Sequence, residues 1–338
     1  FSDHMFVADF KDGEWRDLQI VPFDKIPMSP ATSALHYGQA IFEGMKAYKT
    51  DKGETMLFRP WDNAERFNLS AARLCMPTVP KELFMEGLCR LIALDYAWIP
   101  ASDGSSLYIR PVMFSTDEFI GVRSSESYKF IIITSPSGVY YKEPIRVKVE
   151  THYTRACEGG TGSAKAAGNY AASLYPAKLG QQKGYQQLIW TDAKEHKYIE
   201  ESGTMNVMFV LGDTLVTPAL HDSILAGITR NSVLTIARDW GMKVEERKIS
   251  VDEIADAHKE GRLKEAFGVG TAATIAQIIS INYKDKDLDL PPVEQREFSG
   301  KVGQYLNEIR RGKTTDKAHS GASKCFCFVI WRHNILKG

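Results

Sequence analysis

Residues 162–170 read GSAKAAGNY, and residues 199–206 read IEESGTMN. The first stretch places Lys165 among glycine, alanine and serine, which leave room for a flat ligand, and Tyr170 follows shortly after. The second stretch carries Glu201 directly before a Ser-Gly-Thr sequence. An amine can form a Schiff base with an aldehyde cofactor, and an acid can keep the ring nitrogen of that cofactor protonated. Together the two stretches predict a pyridoxal 5'-phosphate (PLP) site in which Lys165 supplies the amine.

Simpler interpretations compete with this one. A single lysine at a helix start is most often solvated, but Lys165 is the only charged residue between Glu158 and Lys178. A carboxylate before a turn is most often at the surface. Because neighbouring residues of an extended segment point to opposite sides, we expect Glu201 to face inward and Glu200 to be a surface residue.

Composition excludes several classes of protein. The 338 residues include 42 basic and 42 acidic side chains, a balance that indicates no nucleic-acid partner and no anionic membrane surface. No apolar run approaches the length of a transmembrane helix. Five cysteines, an odd number without Cys-x-x-Cys spacing, predict a reducing compartment. We expect the cytoplasm, with the mitochondrial matrix open if a leader was removed.

Apolar periodicity predicts an α+β chain of two domains. Strands are expected at 55–58, 106–114, 129–134, 145–153, 186–190 and 206–211, and helices at 61–74, 81–98, 169–182, 224–240 and 251–260. Breakers in residues 135–143 mark the boundary between domains. We therefore expect a small domain over 1–137, an interdomain loop over 138–145 and a large domain over 146–338.

Two glycine-bearing segments are candidates for binding a phosphate. Residues 226–229, AGIT, open a predicted helix whose first N–H groups and dipole favour an anion. Residues 267–273, FGVGTAA, offer the hydroxyl of Thr271, and Arg66 offers a fixed charge. The second segment also allows a dinucleotide-binding interpretation, but it lacks the full G-x-G-x-x-G pattern.

An arginine inside an apolar strand is a further candidate. Arg110 lies two residues after Tyr108. A buried arginine needs a partner, and a substrate carboxylate is one option.

Long motifs, in order, resemble the class IV (fold type IV) PLP-dependent aminotransferases, most closely the branched-chain amino acid aminotransferases. They span nearly the whole chain, at residues 35–48 (LHYGQAIFEGMKAY), 58–66 (FRPWDNAER), 106–111 (SLYIRP), 159–170, 201–206 and 270–273 (GTAA). The resemblance implies a small N-terminal α/β domain, a larger C-terminal pseudo-barrel domain and PLP as cofactor. It also implies a homodimer or higher oligomer.

The resemblance assigns cofactor contacts residue by residue. Lys165 would bind the cofactor covalently and shuttle protons, Tyr170 would bind its phenolic oxygen, and Glu201 would pair with its ring nitrogen. The phosphate would be held by Arg66, Ile228, Thr229 and Thr271, and Thr204 would support the ring.

It also assigns a substrate pocket. Tyr108 and the backbone of Thr271, Ala272 and Ala273 would hold the α-carboxylate, and Arg110 the distal carboxylate of glutamate. An apolar wall would come from Tyr37, Phe42, Tyr140 and Ala272, with Ile120 and Val122 reaching in from a second subunit. The implied reaction is ping-pong transfer of the amino group of L-leucine, L-isoleucine or L-valine to 2-oxoglutarate.

The chain departs from the family at its end. Residues 309–312, IRRG, and His319 fit the family's closing pattern, but the tail from 320 to 338 does not. The alternatives are a D-amino acid aminotransferase, an aminodeoxychorismate lyase, a catalytically inactive binding protein and, more distantly, a nucleotide-binding oxidoreductase.

Overall fold

The structure is a computed structural model that describes residues 1–141 and 143–314, together with the backbone of 327–330. It divides into two compact units, and the chain first passes from one to the other between Val139 and Tyr140. The first unit also takes in Ala164–Gly168 and the described residues from Glu308 onward, whereas the second contains Tyr140–Ser163 and Asn169–Asn307. The domain limits 1–137, 138–145 and 146–338 stay a prediction. The two contact-based units follow a different division, because Ala164–Gly168 and the described residues from Glu308 onward belong to the first unit.

The first unit is a mixed layer of strands and helices. Its strands are β1 (His4–Lys11), β2 (Glu14–Pro22), β3 (Ala40–Phe42), β4 (Met45–Lys49), β5 (Thr55–Phe58), β6 (Ser106–Ser115) and β7 (Tyr128–Ser137). Its helices are α1 (Ser33–Tyr37), α2 (Pro60–Arg73) and α3 (Lys81–Leu94), followed by a 3-10 turn at Tyr96–Trp98. The sheet runs β5-β4-β6-β7-β1-β2, and β3 pairs with the far end of β6.

Helices α2 and α3 cover one face of this sheet because their apolar sides meet its aromatic side chains. Phe67 of α2 and Phe84 of α3 lie 5.3 Å and 5.6 Å, between ring centres, from Phe130 of β7. All three rings are fully buried. The predicted helix 81–98 ends at Leu94, where Asp95 turns away to accept hydrogen bonds from the backbone N–H and the ring of His4.

The second unit is built on a closed sheet. Its strands are β8 (Ile145–Val149), β9 (Gln187–Thr191), β10 (Ile199–Ser202), β11 (Met205–Leu211), β12 (Thr214–Pro218), β13 (Lys243–Arg247), β14 (Leu263–Gly270), β15 (Thr274–Tyr283) and β16 (Lys286–Asp289). Its helices are α4 (Ala167–Gln182), α5 (Ile228–Asp239), α6 (Val251–Lys259) and α7 (Phe298–Arg310), with a 3-10 turn at Val293–Gln295. A last strand, β17 (Cys327–Ile330), pairs antiparallel with β5 of the first sheet.

Six strands of the second unit form a ring in the order β10-β9-β8-β15-β14-β11, and β10 pairs back onto β11. Closure leaves these strands without an open edge. Every residue of β11 is buried, which explains why its sequence, MNVMFVL, is apolar apart from Asn206. This is the barrel-like sheet that the family resemblance implied.

Most predicted elements are confirmed, with shifts at their ends. The largest shifts are of four residues. The strand predicted to end at 153 ends at Val149, and the helix predicted to end at 98 ends at Leu94. Helix α5, predicted from 224, starts at Ile228, because Gly227 before it has an extended backbone (ψ 129°). In the described part of the chain, no helix is both long and apolar enough to cross a membrane.

Candidate active site

Lys165 lies in the first unit, where β3 and α2 fix its backbone. Its N–H donates to Ser70 Oγ of α2 at 2.9 Å, and its carbonyl accepts from the Phe42 N–H at 3.1 Å. The side chain is half-buried, and its Nζ lies 4.9 Å from the centre of the Phe42 ring. An amine with its backbone anchored on both sides and an aromatic ring beside it has a restricted position.

A buried ion pair lies near this lysine. Arg66 donates to both carboxylate oxygens of Glu43, at 2.6 Å and 2.9 Å, and Asn63 donates to the same carboxylate at 2.8 Å. Burial alone would raise the pKa of Glu43, but attraction to Arg66 and its hydrogen bonds hold that pKa below the usual range, and Lys165 adds to the effect. Glu43 received no role from the sequence alone, although an acid inside the apolar run AIFEGM indicates a buried carboxylate that needs a partner.

Tyr108 and Arg110 form one group with Phe42. Arg110 Nη2 donates to the Tyr108 hydroxyl at 2.8 Å, and its guanidinium lies 4.4 Å from the Phe42 ring centre. Arg110 Nε is buried without a hydrogen-bond partner in the described chain. Gly44 makes room for this arrangement, since a Cβ there would overlap the Tyr108 hydroxyl. The group presents a cation and a hydroxyl beside an aromatic wall, as a carboxylate site requires.

Glu201 lies in the second unit and is almost fully buried. Its Oε1 accepts from the Leu225 N–H at 2.8 Å and from Asn206 Nδ2 at 3.4 Å. Its Oε2 lies 3.4 Å from Arg155 Nε, which forms no hydrogen bond within the described residues. Two donors therefore bind one oxygen of this carboxylate, and a cation lies near the other. Sequence reasoning missed Arg155, which directly precedes the ACEGG segment and carries no distinguishing pattern.

Glu200 is not a surface residue, and that expectation was wrong. It is 3 % exposed, and the Ser223 hydroxyl donates to its Oε1. The physical reason is an irregularity in β10, whose pairing with β9 shifts register between Ile199 and Ser202. A bulge breaks the alternation of side chains along a strand, and here two consecutive acids are both buried.

The start of α5 has the features of an anion site. Its N-cap is Gly227, which has no side chain to cap the helix, and Ile228 and Thr229 form the first turn. Asn206 packs against Gly227 so closely that a Cβ there would overlap the Asn206 amide oxygen. First-turn N–H groups and the helix dipole favour a phosphate at this position.

The remaining predicted residues of the second unit lie at turns and helix starts. Thr271, Ala272 and Ala273 form the turn between β14 and β15 and are half-buried. Thr204 is exposed in the β10–β11 turn, Tyr170 is half-buried in the first turn of α4, and Tyr140 is exposed, packing edge-on against Tyr141.

Three other predicted residues lie exposed in the first unit. Tyr37 ends α1, and Ile120 and Val122 lie in the loop between β6 and β7. Val122 is 91 % exposed within this chain, which is unusual for an apolar side chain and suits the expected role at a second subunit.

These residues fit PLP, the cofactor that the sequence predicts. A buried acid is present for the ring nitrogen, a lysine for the aldehyde, and a helix start and an arginine for the phosphate.

Comparison with known proteins agrees with this geometry. Residues 40–281 match the family model for amino-transferase class IV. The chain is 46 % identical over 94 % of its length to branched-chain-amino-acid aminotransferase 2 of Bacillus subtilis, covering 88 % of that protein. It is 42 % identical over 94 % of its length to the branched-chain-amino-acid aminotransferase of Mycolicibacterium smegmatis, covering 88 % of that protein.

Solved structures show the same fold. A branched-chain aminotransferase from Thermoproteus uzoniensis, crystallised with norvaline, matches 98 % of this chain and 100 % of its own with a TM-score of 0.81 at 26 % identity. The Escherichia coli branched-chain amino acid aminotransferase matches 94 % of this chain and 97 % of its own with a TM-score of 0.74 at 27 % identity. The chain therefore belongs to the class IV aminotransferases, which are PLP-dependent enzymes.

Proposed function

We propose that this chain is a branched-chain amino acid aminotransferase that transfers the amino group of L-leucine, L-isoleucine or L-valine to 2-oxoglutarate in a ping-pong reaction. The observation that carries the proposal is the group formed by Phe42, Tyr108 and Arg110. One aromatic wall and one arginine side by side suit a pocket that accepts an aliphatic side chain in one half-reaction and a carboxylate in the other. The similarity to named branched-chain aminotransferases over nearly the whole chain supports the same substrate class.

PLP, when bound, supplies the electron sink that makes the α-proton of an amino acid acidic. Lys165 Nζ takes that proton from the substrate and returns it, as a general base and acid. Its anchored backbone and the Phe42 ring hold the amine in place for this transfer. Tyr170 donates a hydrogen bond to the phenolic oxygen.

Glu201 holds a proton at the ring nitrogen by accepting its hydrogen bond. Arg155 and the Leu225 N–H hold the carboxylate in position for this role. Arg66, Thr271 and the first turn of α5, with Ile228 and Thr229, hold the phosphate, and Thr204 supports the ring.

Substrate binding uses both charged and apolar groups. Tyr108 and the backbone of 271–273 hold the α-carboxylate, and Arg110 holds the distal carboxylate of glutamate. The alkyl chain of a branched substrate packs on Tyr37, Phe42, Tyr140 and Ala272. Ile120 and Val122, exposed in this chain, complete the pocket of a second copy in a homodimer or higher oligomer.

A substrate panel tests the proposal. Purified holoenzyme is given L- and D-amino acids with 2-oxoglutarate, and glutamate formation is measured. We expect turnover with L-leucine, L-isoleucine and L-valine well above that with L-aspartate or any D-amino acid. Preference for D-amino acids would replace the proposal with the D-amino acid aminotransferase alternative.

Lys165→Ala provides the internal control for this panel. We expect it to remove the visible absorbance of bound PLP and to lower turnover by at least about a hundredfold, the usual contribution of a positioned acid–base group. Full turnover in this variant would show that another residue is the base.

We also propose a cytoplasmic location. Cys75, Cys89 and Cys157 are free thiols, which suits a reducing compartment. Fractionation of cells that express the native gene would test this, and recovery outside the soluble cytoplasmic fraction would contradict it.

A further inference from the structure

The loop of residues 219–227, which joins β12 to α5, is held by an unusually dense set of polar contacts. Its backbone and side chains bind groups from three other segments of the second unit: the loop 155–163, β10 and β11. These contacts are Ser163 N–H to Asp222 O (2.7 Å), Gly159 N–H to Asp222 Oδ2 (3.3 Å), Leu225 N–H to Glu201 Oε1 (2.8 Å), Asn206 Nδ2 to Leu225 O (2.9 Å), Arg155 Nη2 to Ser223 O and Ser223 Oγ to Glu200 Oε1.

Ser223 is the most constrained residue of this loop. It is fully buried, its hydroxyl binds Glu200, and its carbonyl binds Arg155. Gly162 packs directly against its backbone, so that a Cβ there would overlap Ser223. His221 Nδ1 lies 3.1 Å from the same hydroxyl, but its side chain is 43 % exposed. Glu200 is therefore the buried partner that fixes the hydroxyl.

The position of Ser223 constrains two residues that follow it closely in the chain, Leu225 and Gly227. Two residues later, the Leu225 N–H binds the Glu201 carboxylate, and four residues later Gly227 caps α5. One short segment therefore carries both a backbone donor to Glu201 and the N-terminus of α5, the helix proposed to hold the phosphate. A displacement of Ser223 would move both.

We propose that Glu200 is a positioning residue that, through Ser223, holds the loop 219–227 so that Leu225 stays bonded to Glu201 and α5 begins at Gly227. This role rests on the proposed function of Glu201 and α5 in binding PLP. Glu200 itself need not touch substrate or cofactor. The bulge in β10 makes the arrangement feasible, since it turns Glu200 toward the same loop that Glu201 binds.

Hydrogen exchange in the holoenzyme tests the role without relying on activity. The variants are Glu200→Ala and Ser223→Ala, and amide exchange is followed by mass spectrometry in peptides that cover 219–229. We expect exchange roughly tenfold faster there in both variants, as the loss of one buried hydrogen bond predicts. Release of PLP into a cofactor-free buffer, followed by absorbance, should accelerate by a similar factor.

Glu200→Gln is the rescue variant, because its amide oxygen can still accept from Ser223 Oγ. It should restore exchange protection to near the parent level. Ser299→Ala is the matched control, since Ser299 is another fully buried serine of the second unit whose hydroxyl bonds a polar side chain, that of Gln277. It should leave 219–229 unchanged.

Unchanged exchange in Glu200→Ala and Ser223→Ala, or equal acceleration in Ser299→Ala, would overturn the proposal. Failure of Glu200→Gln to rescue would also overturn it, because the bond to Ser223 would then not be the cause. These outcomes are independent of substrate identity. Failure of the substrate panel with the exchange results as expected would reject the proposed reaction but not the positioning role.

Discussion

At the scale of single residues, the ion pair of Glu43 and Arg66 determines what Arg66 can do. Arg66 is predicted to hold a phosphate, yet both oxygens of Glu43 already bind its guanidinium. A guanidinium group carries five donors, and Glu43 accepts from two of its nitrogens, Nε and Nη2. Glu43 thus fixes the direction of Arg66 and stays ionised because its pKa is held low.

Glu43→Gln should destabilise the first unit strongly. The variant leaves the Arg66 charge buried without its counter-ion, at a cost of about 3 kcal/mol or more. Thermal melting of the apo-protein measures the effect. Glu65→Gln is the control, on the same helix as Arg66. Because Glu65 pairs with Lys81 at the surface, the loss of that ion pair should cost under about 1 kcal/mol. Equal losses for the two variants would contradict the account.

The same ion pair has a defined pH dependence. The folded pKa of Glu43 lies below its unfolded value, so its contribution to stability is present above about pH 4.5 and is lost as the pH falls through the folded pKa. Glu43→Gln should therefore differ from the parent most at neutral pH and least in acid.

Arg110→Ala should separate the two half-reactions. The variant loses the cation that would bind the distal carboxylate of glutamate but keeps the aromatic wall of Phe42. We expect kcat/KM for glutamate to fall at least about tenfold more than kcat/KM for leucine, since a charge-assisted hydrogen bond contributes about 1.5–3 kcal/mol. Equal losses for both substrates would remove the carboxylate role.

Site residues could be predicted from the sequence only where the local sequence distinguishes them, and not where their role comes from contacts with distant residues. Motifs identified Lys165, Glu201 and Arg110, because each stands out in a small-residue or apolar context. Arg155 and Glu200 could not be recognised in the same way. Their importance comes from contacts with Ser223, 68 and 23 residues away in the chain, and from a bulge that no pattern of alternation predicts.

At the scale of elements, the start of α5 depends on one glycine and one asparagine. Asn206, at the start of β11, bonds Leu225 O and Glu201, while its amide oxygen leaves no space for a side chain at Gly227. The backbone of Gly227 (φ −70°, ψ 129°) suits any residue, so the requirement for glycine is steric and not conformational.

Gly227→Ala should therefore weaken PLP binding. The added methyl group must either rotate Asn206 out of its bonds or shift the start of α5, and we expect a dissociation constant for PLP at least about tenfold higher, the loss of roughly one good hydrogen bond. Titration of the apo-protein by absorbance measures it.

The control is Gly300→Ala in α7, where a Cβ would meet nothing within 4 Å. Alanine is the better helix former, so this variant should be neutral or slightly stabilising. A PLP affinity for Gly227→Ala that matched the control would show that the glycine is not required for close packing.

Elements were predicted from sequence better than their ends. The strand at 55–58 was located correctly because turn-forming residues flank it on both sides, whereas the helix expected from 224 starts at Ile228. Residues 224–227 continue the apolar run, but the backbone of Leu225 bonds to the side chains of Glu201 and Asn206 outside the helix.

At the scale of the whole molecule, closure of the second sheet was recognisable only through family resemblance. The closing contact is the hairpin of β10 and β11, in which Glu201 faces Asn206 and Gly203 takes a positive φ of 58°. Local patterning shows a hairpin but not that its strands end a ring, because the other strands come from distant parts of the chain. The assignment of Ala164–Gly168 to the first unit also depends on contacts with residues distant in the chain, so local patterning could not predict it.

Stability of the whole protein should also depend on a buried cation, Lys46 in β4. Burial first, and repulsion from Arg310 second, lower its pKa from about 10.5 to about 8. The unfolded chain therefore binds more protons than the folded one between about pH 8 and 10.5, and this group makes stability rise with pH across that window. Below pH 8 the folded protein carries this ammonium, and its lowered pKa makes the charge a net cost to folding on the order of 3 kcal/mol at most.

Lys46→Met removes the charge and retains an unbranched apolar side chain, so the variant should melt at a higher temperature than the parent at pH 7. The difference should shrink as the pH is raised to 10, because the parent lysine becomes neutral in the folded state. Lys52→Met, at an exposed position before β5, is the control and should show a difference that does not change with pH. A lower melting temperature for Lys46→Met at pH 7, or a difference as independent of pH as the control, would show that the buried ammonium is compensated by its surroundings and does not oppose folding.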